Sequence, residues 1–181
     1  MKRWLIAPLA ALALLVQPLS ASAEGPSNVV IATNHQDGNV VVQGRVRVNR
    51  VPGEVAAPLN MAMAQATTCH GCVTFAVALQ LDFASTDARY IAPQNVAVAT
   101  NGACDGCVTV AKAVQVFYTI DDPTQIPPEI SAQIRDLEHE LTLIAADHSI
   151  TMTDAEARID SVIARFLATA LAYDIQRQSA N

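Results

Sequence analysis

The sequence is poor in charge, in aromatic side chains and in basic residues, and each shortage excludes a class of protein. Charged residues make up 15% of the 181 residues and apolar residues 51%, which is too apolar for intrinsic disorder. Eleven Lys and Arg stand against seventeen Asp and Glu, so no basic patch is expected for nucleic acid. With only 4% aromatic residues, a core must be built from aliphatic and small side chains.

The motifs of common catalytic sites are also missing. The four histidines are scattered without an H-E-x-x-H pair, and there is no G-x-S-x-G elbow, Walker A loop or G-x-G-x-x-G turn. We therefore expect a protein that is not an enzyme and that needs no cofactor.

A single long apolar run, residues 4–16, lies at the N-terminus. It follows Lys2 and Arg3 and precedes Ala21-Ser22-Ala23, the three-part pattern of a secretory signal peptide. The run is shorter than the roughly 20 apolar residues that span a bilayer. We expect cleavage after Ala23, a secreted or extracytoplasmic product, and no membrane span after cleavage.

Two segments of the chain, residues 60–80 and 95–115, match each other at a constant offset of 35 without a gap. A weaker copy without cysteine covers residues 28–42. The predicted organisation is a signal peptide at 1–23, a degenerate first hairpin repeat at 24–58, two CxxC hairpin repeats at 59–122 and a helical hairpin at 123–181. Residues 24–181 are expected to form one folded unit.

Each repeat alternates large and small residues, as strands do, around a turn at His70-Gly71 or Asp105-Gly106. Asp-Gly between strands is a strong signal for a two-residue hairpin. The pattern predicts an α+β fold in which three tandem β-hairpins form an antiparallel sheet. A row of alanines on one face is expected to receive the helices.

After Pro127-Pro128 the apolar period changes to that of helices. Two amphipathic helices are predicted, the second opening on a capping box from Thr153 to Glu156. A short loop between them predicts an antiparallel helical hairpin that packs on the sheet. The apolar stripe of the first helix is Ile130, Ile134, Leu137, Leu141 and Ile144.

The residues best suited to covalent, metal or redox chemistry are four cysteines, Cys69, Cys72, Cys104 and Cys107. Across a two-residue hairpin, flanking Cα atoms lie about 5.5 Å apart, which suits a disulfide within each CxxC. Export favours such disulfides. Two alternatives stay open: a zinc site with all four cysteines as ligands, and thiol–disulfide exchange, although neither motif is expected at a helix N-terminus.

Other recurring residues have structural interpretations. Asn60 and Asn95 are expected to cap strand entries, and Gln80 and Gln115 to hydrogen-bond across strands. Arg45, Arg47 and Arg50 form a basic stripe on an early strand, expected at an exposed edge that deters aggregation.

The duplicated N-x-A-x-A…C-x-x-C-x-T-x-A-x-A-x-Q pattern at residues 60–80 and 95–115 resembles exported bacterial proteins of unassigned function. It is also similar to the extracytoplasmic C-terminal module of some membrane peptide zinc metalloproteases. The resemblance implies an accessory domain without peptidase activity. The sequence thus predicts a secreted structural or protein-interaction domain whose partner is a protein, such as a membrane peptidase or cell-surface component.

Overall fold

The computed structural model describes residues 26–180 as three stacked coils followed by two helices; the predicted signal peptide lies outside the described residues. The elements are β1 (Ser27–Asn34), β2 (Val40–Val51) and β3 (Val55–Ala56) in the first coil, β4 (Leu59–Thr67), β5 (Val73–Ser85) and β6 (Tyr90–Ile91) in the second, β7 (Gln94–Gly102) and β8 (Val108–Ile120) in the third, then α1 (Pro128–Ala146) and α2 (Met152–Ala180).

Strands pair in parallel with their counterparts in the neighbouring coil. Sheet A has the order β1-β4-β7, sheet B the order β2-β5-β8, and β3 pairs with β6. Asn60 pairs with Asn95 and Val73 with Val108, so residues 35 positions apart lie side by side. The prediction of an antiparallel sheet built from three tandem hairpins is therefore wrong.

The reason lies in the turns. Between β4 and β5 the chain passes through residues 68–72, and it leaves sheet A and enters sheet B instead of folding back on itself. Gly71 and Gly106 do adopt the left-handed conformation expected of them, with φ of 62° and 65°, but Thr68 and Ala103 adopt it too, with φ of 54° and 49°. In each of these corners the two left-handed residues are separated by two others, whereas a type I′ hairpin turn needs them adjacent.

Sheet B is covered on both faces. Its large side chains, including Phe75, Leu79 and Phe83, pack against α1 and α2 and are fully buried. Its small side chains, such as Ala76 and Ala78, face sheet A. The expectation that the helices cover the alanine row is therefore wrong: alanines let the two sheets approach closely, and the helices need the bulkier face.

Both helices occur where the sequence predicts them. The five stripe residues of α1 are all buried. In α2 the cap lies two residues earlier than predicted, because Thr151 Oγ1 accepts a hydrogen bond from Asp154 N at 3.1 Å and donates to the Asp154 carboxylate at 2.7 Å. Within residues 26–180, neither helix is long and apolar enough to cross a membrane.

Candidate functional site

The four cysteines meet at one corner of the coil stack. The corner of the third coil lies directly on that of the second, where His70 and Asp105 form a parallel bridge. Four backbone hydrogen bonds hold the corners together: Thr68 N to Gly102 O at 3.0 Å, Gly71 N to Asp105 O at 2.8 Å, Asp105 N to Cys69 O at 3.3 Å and Val108 N to Cys72 O at 2.8 Å. The stacking places both CxxC segments in one cluster.

Within each CxxC the two cysteines are close enough for a disulfide. Their Cα atoms are 6.2 Å apart for Cys69 and Cys72, and 5.9 Å apart for Cys104 and Cys107. Both distances lie inside the range that disulfides accept, and the sulfurs are joined in the structure. The predicted close pairing within each CxxC is confirmed, although it arises at a corner and not across a hairpin.

Sulfur atoms of the two corners are also close to each other. Cys69 Sγ lies 3.6 Å from Cys104 Sγ and 3.9 Å from Cys107 Sγ. All four Sγ atoms lie within 4.8 Å of one another, and they form the one such group of potential metal ligands among residues 26–180. The arrangement can hold two disulfides or present four thiolates to one cation.

The surroundings of the cluster differ on its two sides. Cys69 and Cys72 are buried, whereas Cys104 and Cys107 are partly exposed. On the buried side, Gln36 O is 3.2 Å from Cys72 Sγ and Asn34 O is 3.7 Å from Cys69 Sγ. Both carbonyls belong to the first coil, whose corner has no cysteine.

Neither CxxC segment opens a helix: Cys69 and Cys72 lie between β4 and β5, and Cys104 and Cys107 lie between β7 and β8. The sulfurs therefore lack the helix N-terminus that lowers the pKa of redox-active thiols. His70, between the cysteines of the second coil, has a side chain that is 76% exposed and lies 3.9 Å from the Asp105 carboxylate. It is a surface residue and is not part of the group of potential metal ligands.

The recurring asparagines form a ladder between the two sheets. Asn28 Nδ2 donates to Asn60 Oδ1 at 3.0 Å, and Asn60 Nδ2 donates to Asn95 Oδ1 at 2.8 Å. Each Nδ2 also donates to a carbonyl of sheet B, such as Ala78 O or Ala113 O. These residues thus link coils and sheets, a larger role than the predicted strand-entry cap.

A buried carboxylate, Asp82, was missed by sequence reasoning. It is fully buried and accepts hydrogen bonds from Asn49 Nδ2 at 2.8 Å, Gln80 Nε2 at 2.9 Å and Gln115 Nε2 at 2.7 Å. Burial raises the pKa of the Asp82 carboxyl above its usual value, and the three hydrogen bonds oppose that rise. The recurring glutamines were the available signal, because two amides at equivalent positions of adjacent coils can donate to one acceptor.

The two ends of the coil stack have opposite character. At the first-coil end, β2 is an edge strand that carries Arg45, Arg47 and Arg50, as the basic stripe predicts. At the third-coil end, β7 contains no charged residue, and its inward-facing Ala97 and Ala99 are exposed. Their counterparts in the second coil, Ala62 and Ala64, are 0% exposed.

An apolar stripe on α2 borders the same end. Leu167, Leu171 and Ile175 follow one another at steps of four and are 45%, 59% and 58% exposed. Asp160, two turns before Leu167 on that side of the helix, pairs with Lys112 of β8. We call β7, the outer edge of β8 and this stripe the third-coil surface.

Fold and site together define a short parallel β-solenoid that has a two-helix layer on one sheet and a four-cysteine cluster at one corner. No family model, curated protein or solved structure matches the chain. The resemblance to exported bacterial proteins stays a prediction.

Proposed function

We propose that this chain is an exported, non-catalytic structural domain that associates with a second copy of itself through the third-coil surface. The observation that carries the proposal is the charge-free edge strand β7, whose inward-facing Ala97 and Ala99 are exposed. Edge strands that must stay single carry charges, prolines or bulges. At the first-coil end, β2 has three arginines of this kind, and β1, which is uncharged like β7, keeps its inward-facing Val30 and Ala32 buried.

Hydrogen bonding supports a further β-strand as the group that pairs with the outer edge of β7. Inside the stack, Asn60 Nδ2 donates both to sheet B carbonyls and to the next asparagine. Asn95 Nδ2, the last of the ladder, donates only to Ala113 O at 3.0 Å among the described residues. One amide hydrogen and the outer backbone groups of β7 remain available to a further strand.

A second copy fits this surface better than an unrelated chain with a charged face. Because β7 has no charge, a two-fold contact between β7 and its symmetry mate places no like charges opposite each other. The same rotation brings the α2 stripes of the two copies to one side of the contact. Burying such leucine and isoleucine side chains stabilises an interface by about 1.5–3 kcal/mol each when burial is complete.

The oligomeric state tests this proposal. We expect the chain from residue 24 to sediment as a dimer at micromolar concentration, and the variants Ala97→Lys and Leu171→Glu to sediment as monomers with unchanged circular dichroism. Leu143→Glu is the matched control, because Leu143 is 50% exposed on α1, away from the third-coil surface. A wild-type monomer at about 100 μM, or a dimer that survives both variants, would contradict the proposal; a monomer that captures a different protein would replace the second copy by that partner.

Export is part of the proposal and rests on the basic, apolar and small-residue segments of residues 1–23. N-terminal sequencing of the chain from the extracytoplasmic fraction should begin at Glu24. In that oxidising compartment the two CxxC pairs are expected to be closed as structural disulfides that fix the corners. Recovery of the chain with its leader intact from the cytosol would contradict this part.

A further inference from the structure

We propose that the cysteine cluster is a redox-dependent metal site: after reduction by a dithiol, Cys69, Cys72, Cys104 and Cys107 bind one Zn²⁺ with four thiolates. The proposal concerns the reduced chain and is independent of dimer formation.

The distances between the corners fit a tetrahedral ion. Zinc binds thiolate sulfur at about 2.3 Å, so four sulfurs around one ion lie about 3.8 Å from each other. Cys69 Sγ is already 3.6 Å and 3.9 Å from the two sulfurs of the third coil. Once the bonds within the pairs are broken, side-chain rotation supplies the remaining separations, and the corners need not move apart.

Backbone conformation and hydrogen bonds between the coils also hold the two corners in place. In each corner a left-handed residue precedes the first cysteine, Thr68 or Ala103, and a left-handed glycine precedes the second, Gly71 or Gly106. A non-glycine residue in this conformation costs energy and persists only where the surroundings impose it. The hydrogen bonds between corners, from Val108 N to Cys72 O among others, fix their spacing. The site is therefore preorganised by the stack.

Reduction and metal binding balance in electrons and protons. Each disulfide accepts two electrons and two protons from one dithiol molecule, which leaves as its cyclic disulfide, so two dithiols produce four thiols. Zn²⁺ then replaces four protons, which pass to solvent, and the complex carries a net charge of −2. Thiolates are the metal ligands, so binding strengthens as pH rises.

On its buried side the cluster contacts the first coil, where Gln36 O is 3.2 Å from Cys72 Sγ and Asn34 O is 3.7 Å from Cys69 Sγ. Half-burial of Cys104 and Cys107 leaves an entry path from solvent.

Cobalt is the spectroscopic probe. The chain is reduced with a phosphine, the phosphine is removed without air, and Co²⁺ is titrated in at neutral pH. We expect intense visible absorption of tetrahedral thiolate-bound Co²⁺ that saturates at one ion per chain and is lost when Zn²⁺ is added. The oxidised chain should give the spectrum of free Co²⁺.

Two double variants test whether both corners contribute to one site. Cys69→Ser/Cys72→Ser and Cys104→Ser/Cys107→Ser each keep one CxxC and should lose the tetrahedral spectrum at one equivalent. His70→Ala is the matched control and should keep it, since the His70 side chain is 76% exposed and does not belong to the four-cysteine group. Circular dichroism and the melting temperature follow the fold throughout, and Zn²⁺ should raise the melting temperature of the reduced wild type but not that of either double variant.

Three outcomes would overturn the proposal. The first is a reduced, folded chain that binds no Co²⁺ at micromolar concentration. The second is a spectrum that persists in either double variant, which would assign the ion to one CxxC. The third is loss of the fold on reduction, because the corners would then depend on the disulfides.

Discussion

Leu141 of α1 packs directly on Gly44 of β2, and adding one methyl group at Gly44 tests the packing of the helix. A Cβ atom at Gly44 would lie 2.9 Å from Leu141 Cδ1, 3.1 Å from its Cβ and 3.2 Å from its Cδ2. Leu141 is fully buried, and its Cβ as well as its terminal methyl groups lies close to the added atom. Overpacking of this kind costs about 1–3 kcal/mol, so Gly44→Ala is expected to destabilise the fold by that amount.

The double variant supplies the sharper test. Leu141→Ala alone should cost about 2–5 kcal/mol, because it leaves a cavity beneath α1. In Gly44→Ala/Leu141→Ala the new methyl group occupies space that the leucine has vacated. The pair should then cost no more than Leu141→Ala alone, which corresponds to a coupling energy of about 1–3 kcal/mol.

Urea unfolding followed by circular dichroism measures all four free energies. Gly53→Ala provides the control, because nothing lies within 4 Å of a Cβ atom at Gly53. Its effect should add to that of Leu141→Ala within about 0.5 kcal/mol. The packing of α1 on the large-residue face of β2 would be refuted if the losses of unfolding free energy in Gly44→Ala and Leu141→Ala simply added in the double variant. It would also be refuted if Gly44→Ala left the unfolding free energy unchanged.

Three smaller perturbations test other parts of the fold. Burial raises the pKa of Asp82 in the folded chain, so the stability that protonation of this carboxyl contributes is fully present below its unfolded pKa of 3.8 and is lost as pH rises through the folded pKa. The difference in unfolding free energy between wild type and Asp82→Asn should therefore shift in favour of the wild type as pH falls through that window. A pH-independent difference would contradict this prediction. Thr151→Ala should cost about 0.5–2 kcal/mol in thermal unfolding through loss of the α2 cap, whereas Thr153→Ala should cost less than about 0.5 kcal/mol. Gly106→Ala, at φ of 65°, should lose about 1–2 kcal/mol in urea unfolding, and equality with Gly53→Ala would argue against the left-handed corner.

Much of the local structure could be predicted from the sequence. The helix stripes follow from apolar spacing, and the strands from alternation, because both patterns depend on the period of one element alone. Strand direction could not be derived in this way, since residues alternate between faces equally in parallel and antiparallel sheets. The Asp-Gly turn then favoured a hairpin, although a corner between two sheets uses the same left-handed glycine.

Two signals in the repeat pointed to parallel stacking. In β5, Val73–Ser85, both alternating rows are uncharged apart from Asp82, as in strands of parallel sheets that are buried on both faces. Identical residues recurred at a fixed offset, and in a parallel stack this repeat places Asn60 beside Asn95. The cysteine cluster depends on that direction, because only stacked corners bring Cys69 next to Cys104.

The central claim is that the two CxxC corners lie one on the other in parallel coils, and a cross-coil disulfide tests it most directly. The variant Cys72→Ser/Cys107→Ser retains only Cys69 and Cys104, whose sulfurs are 3.6 Å apart. Adjacent strands place Cα atoms about 4.8 Å apart, within the range for a disulfide.

Trypsin cuts after Arg50, Arg89 and Lys112, so the two remaining cysteines fall in different peptides, 51–89 and 90–112. After mild oxidation of the folded variant, mass spectrometry without reduction should find these peptides joined within one chain. In the wild type they should be separate, each with its own closed CxxC. Separate peptides with free thiols in the oxidised, folded variant would contradict the stacked corners.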